Sequence, residues 1–190
     1  VGVMSKVDTG TEDLLASIED GVAVITLNRP EARNAMSGEM NAALQKCLTD
    51  FELDPAVKCI VITGAGKGFC AGGDVKGMAA SGDGPGSTID EAIHAQRVNQ
   101  RATAGKLFKM PKPTIAALPG AAAGAGLGYA LACDLRVMAS TAIMTTAFAR
   151  VGFSGDYGGP YFLTQLVGTA KAREMYFLSC LLSTSDASDR

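Results

Sequence analysis

The sequence predicts an α/β fold in which strands and helices alternate, and three neighbouring segments support this prediction. Val22–Leu27 is a short β-branched run, and residues 57–63 form a second run that is nearly all apolar. Both runs are typical of strands, and we expect the second to be buried on both faces. Between them, Ser37 can cap a helix whose apolar residues recur at helical spacing at Met40, Ala43, Leu44, Cys47, Leu48 and Phe51. This order is typical of a sheet built by crossover connections.

The rest of the chain continues the alternation. Asp54 and Pro55 end the first helix, because the residue before a proline disfavours helical geometry. The later predicted elements are a helix at 89–107, a strand at 113–118, a tightly packed helix of small residues at 120–132, a strand at 135–139 and a helix at 169–182. The polar stretch at 79–87 is predicted to be mobile.

Length and charge exclude several classes of function. The 190 residues suffice for one domain with a substantial core. The net charge of −2 gives no electrostatic reason to expect a nucleic acid or an anionic membrane as partner. Apolar runs are too short to span a bilayer, and the first ten residues lack the basic and apolar segments of a signal peptide.

Cysteine and histidine usage argues against a metal centre. The single histidine is His94, and no Cys-x-x-Cys pair occurs, so we expect no metal site. An odd number of isolated cysteines suits a reducing compartment, which predicts a cytoplasmic protein. The five cysteines are Cys47, Cys59, Cys70, Cys133 and Cys180.

Glycine is the informative excess, with 23 residues concentrated near 64–86, 120–128 and 152–159. Such clusters occur where the backbone turns sharply or approaches a ligand closely. The first cluster lacks the spacing of a phosphate-binding P-loop, and the second lacks the third glycine of a dinucleotide fingerprint. A serine hydrolase is also disfavoured, because the sequence around Ser154 lacks the second spaced glycine of a nucleophile elbow and the only histidine precedes it.

Three motifs carry a more specific signal. They are NRPEARNAM at 28–36, GFCAGGD at 68–74 and PGAAAGAGL at 119–127, the last continuing to ACD at 132–134. In order, spacing and strand context they resemble the crotonase (enoyl-CoA hydratase/isomerase) superfamily over about residues 15–182. The resemblance implies a crotonase-like ββα spiral with packed sheets and surrounding helices. It implies one catalytic core over 1–190 without the family's C-terminal trimerisation helices, and a homotrimer or a hexamer built as a dimer of trimers.

The resemblance also implies an oxyanion hole. Chemistry beside a thioester passes through an enolate-like anion, whose oxygen needs preorganised donors. By position in the motifs, these donors are the backbone N–H groups of Gly73 and Ala125, the second at a helix N-terminus where the dipole adds positive potential. The alternative is that these glycine-rich loops only permit tight turns and close packing, which is the preferred interpretation for Gly120 and Gly126.

The substrate implied by the resemblance is an acyl-CoA thioester, with coenzyme A as part of the substrate and no tightly bound cofactor. The CoA nucleotide portion is expected along Arg29, Ala32 and Arg33 and the backbone near Ala71 and Asp74. A guanidinium group suits a phosphate because it forms charge-assisted, often bidentate contacts. For Arg33 a solvated surface arginine is an equal alternative. Lys76 is either a phosphate contact or a solvated loop lysine.

The acid/base group departs from the hydratase pattern. Typical enoyl-CoA hydratases hold water between two glutamates, whose positions here fall on Gly128 and Phe148. Asp156 instead lies where the isomerases of the superfamily carry a catalytic Glu or Asp, and where related dehalogenases carry a nucleophilic aspartate. Its aromatic neighbours can desolvate the carboxylate and raise its pKa: Phe148, Phe153, Tyr157 and Phe162. A plain turn aspartate is the alternative.

One carboxylate and an oxyanion hole favour double-bond isomerisation by proton transfer. Hydration needs a second acid/base group, for which Tyr157 is a weak candidate. Two further alternatives stay open, an acyl-CoA-binding protein without activity and nucleophilic chemistry at Asp156. Asp134 is expected to be structural, in the turn from helix to strand, and His94 to lie on the surface.

Overall fold

The computed structural model of the chain describes residues 4–74 and 88–188, and the described residues form two β-sheets with helices around them. The predicted mobile stretch at 79–87 and Lys76 lie outside these residues. The larger sheet has the strand order β1-β2-β3-β4-β6-β8 and the smaller one the order β10-β9-β7-β5. The strands are β1 (Ser5–Val7), β2 (Leu14–Glu19), β3 (Val22–Leu27), β4 (Cys59–Gly64), β5 (Gly68–Cys70), β6 (Thr114–Leu118), β7 (Ala121–Ala123), β8 (Leu135–Met138), β9 (Ile143–Thr145) and β10 (Leu182–Ser183).

The larger sheet confirms the predicted alternation. Its strands β3, β4, β6 and β8 pair in parallel, while β1 and β2 form an antiparallel extension that the sequence analysis did not predict. The expectation that the second strand is buried on both faces is wrong. In β4 only alternate residues are buried and the intervening ones are half-buried, so one face of the sheet covers the core.

The first helix, α1 (Gly38–Leu53), is as predicted. Ser37 is its N-cap and accepts a hydrogen bond from the backbone N–H of Met40 at 3.0 Å. All six residues of the predicted apolar face are buried. This helix makes the crossover between the parallel strands β3 and β4 and packs on the inner face of the sheet.

The helix predicted at 89–107 is divided in two. Helix α2 (Ile89–Ala102) begins with a capping box between Thr88 and Glu91, and helix α3 (Ala104–Phe108) follows. The break lies at Thr103, whose φ of −114° and ψ of −91° are not helical. In α2 no residue is buried, whereas α3 buries Ala104 and Leu107.

The segment of small residues at 120–132 is part strand and part helix. Its first residues form β7, which pairs in parallel with β5 and β9, and helix α4 (Ala125–Ala132) starts immediately after Gly124. All eight residues of α4 are buried. Small side chains therefore let a central helix lie close to several strands at once.

The last predicted helix is longer than expected at its start. Helix α5 (Gly159–Leu178) contains a kink at Gly168, where φ is 77°, and the prediction of 169–182 matched only the part after that kink. The chain leaves the helix at Ser179 and forms β10, followed by helix α6 (Thr184–Ser188). Within the described residues, the helices offer no segment that is long and apolar enough to cross a membrane.

Candidate active site

The three sequence motifs converge on one place in the fold. Met36, at the end of the first motif, forms a parallel bridge with Gly73, and its N–H donates to the carbonyl of Gly72 at 2.9 Å. Gly72 has a φ of 94°, and a β-carbon there would lie 3.0 Å from the carbonyl oxygen of Ala123 and 3.3 Å from the nitrogen of Ala125. Only glycine fits this approach, which brings the second and third motifs into backbone contact.

The two predicted oxyanion donors lie on facing backbones. The bridge between Met36 and Gly73 is made by the N–H of Met36 and the carbonyl of Gly72. The N–H of Gly73 takes no part in it and has no acceptor among the described residues. Ala125 is the first residue of α4, where N–H groups have no partner within the helix. Two N–H groups on adjacent loops, without acceptors among residues 4–74 and 88–188, can hold an anionic oxygen, with the dipole of a buried helix behind one of them.

The glycines assigned to packing have that role. A β-carbon on Gly120 would lie 1.9 Å from the carbonyl oxygen of Lys67, and one on Gly126 would lie 2.5 Å from the carbonyl oxygen of Cys70. The prediction that these two glycines serve close approach is therefore confirmed. Through them β7 and α4 are held against the loop that ends at Gly73.

Asn34 is a structural residue of the site that the sequence analysis missed. Its buried side chain donates to the carbonyls of Ala65 at 3.0 Å and Gly68 at 2.9 Å and accepts from the N–H of Arg29 at 2.9 Å. Asn34 has a left-handed φ of 55°, a conformation that asparagine tolerates better than most residues. Asn34 thereby ties the first motif to the loop before β5.

The five residues expected along the CoA nucleotide lie side by side, but their side chains are engaged differently. The guanidinium of Arg29 contacts the carboxylates of Asp74 at 3.0 Å and Asp13 at 3.5 Å and donates to the carbonyl of Ala35. Arg33 is exposed, and its carbonyl accepts the N–H of Ala71 at 3.0 Å. Its guanidinium forms no ion pair with a described residue. Ala32 is half-buried beside it.

Asp156 lies in a tight turn before α5. The N–H of Gly159 donates to the carbonyl of Asp156 at 2.9 Å, and Tyr157 and Gly158 between them are left-handed, with φ values of 48° and 71°. The turn predicted for this sequence is therefore present. It also carries the carboxylate into a largely apolar environment, so the turn and the candidate acid/base group coexist.

Burial raises the pKa of the Asp156 carboxyl to about 6, because the charged form loses hydration. Its Oδ1 is buried and has no hydrogen-bond partner among the described residues, and its Oδ2 lies 3.5 Å from the Nε2 of Gln96. A carboxylate with one unoccupied oxygen and a pKa near neutrality suits proton transfer.

The aromatic surroundings of Asp156 differ in part from the prediction. The side chains of Phe148, Tyr157 and Phe162 are buried as expected, whereas Phe153 is 63% exposed and does not shield the carboxylate. Tyr176, on the second part of α5, was missed. A β-carbon on Gly155 would lie 2.8 Å from its ring, so Tyr176 packs directly on the turn. Only the folding back of the kinked helix brings this residue to the site.

Comparison with known proteins agrees with this geometry. The family model described as enoyl-CoA hydratase/isomerase matches residues 17–190. The chain belongs to this family, within the crotonase superfamily. It is 38% identical to the 1,2-epoxyphenylacetyl-CoA isomerase of Escherichia coli K12 over 93% of this chain and 66% of that protein. It is 34% identical to the 4-chlorobenzoyl coenzyme A dehalogenase-1 of an Arthrobacter species over 88% of this chain and 60% of that protein.

Solved structures confirm the crotonase fold. An enoyl-CoA hydratase from Polaromonas sp. JS666 superposes with a TM-score of 0.79 at 35% identity, covering 93% of this chain and 67% of that one. The chain thus spans about two thirds of the length of the relatives it matches.

Hydratases of the family are expected to carry glutamate at two positions, which here are Gly128 and Phe148. In this chain both positions are closely packed against neighbouring residues. A β-carbon on Gly128 would lie 3.0 Å from the β-carbon of Tyr157 and 3.1 Å from its carbonyl oxygen. Phe148 is buried, and its ring stacks on Tyr176 with centroids 6.1 Å apart. Neither position therefore supplies a carboxylate, and Asp156 is the predicted acid/base group.

The remaining predicted residues have structural or surface positions. Asp134 accepts hydrogen bonds from the N–H and the hydroxyl of Thr114 at 2.7 and 2.9 Å, which joins the end of α4 to β6 and confirms its structural role. His94 is exposed on α2, as predicted. The five cysteines are free, and the described residues contain no cluster of potential metal ligands.

Proposed function

We propose that this chain is the catalytic core of an acyl-CoA enzyme that moves a proton on a bound enoyl thioester, which is double-bond isomerisation. Asp156 acts as the single acid/base group, and the N–H groups of Gly73 and Ala125 form the oxyanion hole. The observation that carries the proposal is the Asp156 carboxylate, with its buried Oδ1 and its pKa raised to about 6, in a site whose two glutamate positions are Gly128 and Phe148.

The proposed reaction has two steps, and no group is consumed. The thioester oxygen accepts hydrogen bonds from Gly73 and Ala125. The Asp156 carboxylate then removes a proton from the carbon next to the thioester carbonyl, and the electron pair moves onto the thioester oxygen as a dienolate. The protonated Asp156 returns the same proton to a carbon two positions along, and the double bond shifts. Each oxyanion donor in such sites typically contributes about 3–4 kcal/mol of barrier reduction.

Hydration is the closest alternative. It needs a second group to activate water, whereas the described side chain that hydrogen-bonds the carboxylate is Gln96, an amide that cannot accept a proton at neutral pH. Nucleophilic attack by Asp156 is a second alternative, which the similarity to a chlorobenzoyl-CoA dehalogenase supports. The E. coli relative named as an epoxyphenylacetyl-CoA isomerase supports isomerisation and adds aromatic thioesters to the candidate substrates.

The decisive experiment is an assay of purified protein with three substrates: a 3-enoyl-CoA, a 2-enoyl-CoA and 1,2-epoxyphenylacetyl-CoA. Each is repeated with Asp156→Asn, which keeps the size of the side chain but cannot accept the proton. Asp50→Asn is the matched control, since Asp50 is an exposed residue of α1 whose one ion pair among the described residues is with Lys46. We expect isomerisation by the native chain and the control, and its loss in Asp156→Asn.

Other outcomes select the alternatives. Hydration that survives Asp156→Asn would remove Asp156 from the mechanism. A covalent adduct on Asp156, detected by mass spectrometry, would establish nucleophilic chemistry. Binding of acyl-CoA without turnover, unchanged in the variant, would leave a binding protein.

The proposal extends to substrate and assembly. Coenzyme A enters as part of the substrate along Arg33, Ala32 and the backbone at Ala71, with Arg29 and Asp74 shaping that surface. A homotrimer or hexamer is proposed from family membership. The five free cysteines support a reducing, cytoplasmic compartment.

A further inference from the structure

Helix α2 approaches the candidate site through polar side chains alone. None of its residues is buried, and its large apolar residues Ile89, Ile93 and Val98 are 79%, 41% and 49% exposed. Apolar packing therefore does not hold this helix against the site. Its contacts on the side of Asp156 come from Gln96 and Asn99, which are three residues apart and so lie on one face of the helix.

Asn99 is the centre of a short hydrogen-bond chain. Its Nδ2 donates to the hydroxyl of Tyr157 at 2.8 Å, and its Oδ1 accepts from the Nε2 of Gln45 at 2.6 Å. Gln45 belongs to α1, which is anchored in the core by its apolar face. These hydrogen bonds therefore connect helix α1 to Tyr157, the residue that follows Asp156.

Tyr157 is held at three points. Its backbone lies against Gly128, its ring packs edge-on against Tyr129 with centroids 5.4 Å apart, and its hydroxyl is bound by Asn99. It also has a left-handed φ of 48°, a conformation that a tyrosine adopts only when its surroundings enforce it. Any movement of Tyr157 moves the Asp156 backbone joined to it.

We propose that Asn99 is a positioning residue, which acts through the Tyr157 hydroxyl to hold the Asp156 turn in its buried place. Gln96, on the same helix, contacts the carboxylate at Oδ2, while Oδ1 has no partner among the described residues. The effect of Asn99 on turnover rests on the proposed function. The effect of Asn99 on the position of the Asp156 turn does not depend on that function. A displacement of about 1 Å in a catalytic group costs up to a hundredfold in turnover.

Other groups around the carboxylate do not replace this role. Burial raises the pKa values of Tyr129, Tyr157 and Tyr176, so these tyrosines stay neutral and provide no competing charge. On α2, Arg97 and Arg101 line a cavity of about 210 Å³ beside Tyr157. Their charge is the same in every variant below, and burial is the cause of the raised pKa of Asp156.

The test compares Asn99→Ala, Tyr157→Phe and the double variant, with His94→Ala as the control, since His94 is exposed on the opposite side of α2 from Gln96 and Asn99. If Asn99 acts through the Tyr157 hydroxyl, each single change lowers kcat about tenfold with KM unchanged, and the double variant is no worse than either. The control keeps the native kcat. Equal kcat in Asn99→Ala and the native chain, or fully multiplicative losses in the double variant, would overturn the proposal.

A second readout does not require turnover. In ¹³C-labelled protein the Asp156 carboxyl signal is assigned by its disappearance in Asp156→Asn and titrated. Release of the turn hydrates the carboxylate, so its pKa falls from about 6 toward its usual value near 4 in Asn99→Ala and Tyr157→Phe. An unchanged pKa overturns the inference even if no thioester is turned over. A lowered pKa with an inactive native chain supports it and contradicts only the proposed function.

Discussion

Gly128 and Tyr157 are in direct contact, since a β-carbon on Gly128 would lie 3.0 Å from the β-carbon of Tyr157. Gly128 stands at a glutamate position of the hydratases, and Tyr157 directly follows Asp156. The turn carrying Asp156 occupies the space that a side chain at position 128 would need. In this chain a side chain at position 128 would therefore press on the turn that carries Asp156.

Gly128→Glu is therefore expected to disrupt the site without creating a hydratase. Even Gly128→Ala should lower the free energy of unfolding by about 1–3 kcal/mol, because its methyl group meets backbone and β-carbon atoms that cannot move independently. Urea unfolding measures the loss. Gly38→Ala is the control: it lies at the start of α1 with no atom within 4 Å of its added β-carbon, and its stability should not fall. Equal stability of both alanine variants would contradict this account.

Gly72→Ala is expected to separate the two oxyanion donors. The added β-carbon would press on the carbonyl of Ala123 and the nitrogen of Ala125, so turnover should fall by about 10²–10³-fold, as for loss of one donor. Gly10→Ala distinguishes crowding from backbone strain. Gly10 also has a positive φ, of 80°, but nothing lies within 4 Å of its added β-carbon. A small loss of stability with full turnover is expected there. Full turnover in both variants would exclude Gly72 as a spacer of the hole.

The sequence analysis succeeded where local pattern decides structure. β3 and α1 agreed with prediction because β-branched runs and helical spacing of apolar residues are local signals. Strands β5, β7, β9 and β10 have two or three residues and little local propensity, so pairing with distant segments determines them. The loops around Gly73 and Ala125 were found through family resemblance, since spacing alone does not reveal which N–H groups lack acceptors.

The polar contacts around Asp156 show why part of the site could not be predicted. Gln45 and Asn99 are 54 residues apart, and Asn99 and Tyr157 are 58 residues apart. An amide on an exposed helix gives no sequence signal until the fold brings its partner to it. Tyr176 reaches the turn for a similar reason, because the kink at Gly168 redirects the second half of α5.

Arg29 and Arg33 should respond differently to replacement by alanine. Arg33 is exposed, so Arg33→Ala should weaken acyl-CoA binding about five- to tenfold, through loss of a charge-assisted phosphate contact, with no change in stability. Arg29→Ala should instead lower the free energy of unfolding by about 1–3 kcal/mol, because it leaves the half-buried carboxylates of Asp74 and Asp13 without this partner. Calorimetric titration and urea unfolding measure the two effects. The reverse pattern would assign the phosphate to Arg29.

Asp156 should make stability and activity change with pH in opposite directions. Its folded pKa of about 6 lies above the ordinary value of 3.8, so the folded state binds the proton more tightly and loses stability as pH rises between these values. Asp156→Asn removes this penalty. The variant should be about 1–2 kcal/mol more stable than the native chain at pH 7.5, a range that allows for partial solvent access, and nearly equal to it at pH 4.

Turnover by the native chain should rise as pH increases through about 6, because only the ionised carboxylate accepts the proton. Urea unfolding at the two pH values and a pH–rate profile measure these effects, with Asp50→Asn as the control that reproduces the native profile. A native chain as stable as Asp156→Asn at pH 7.5 would show that the carboxylate is well hydrated. Proton abstraction would then have to rely on the oxyanion hole to acidify the substrate, with an aspartate of ordinary basicity.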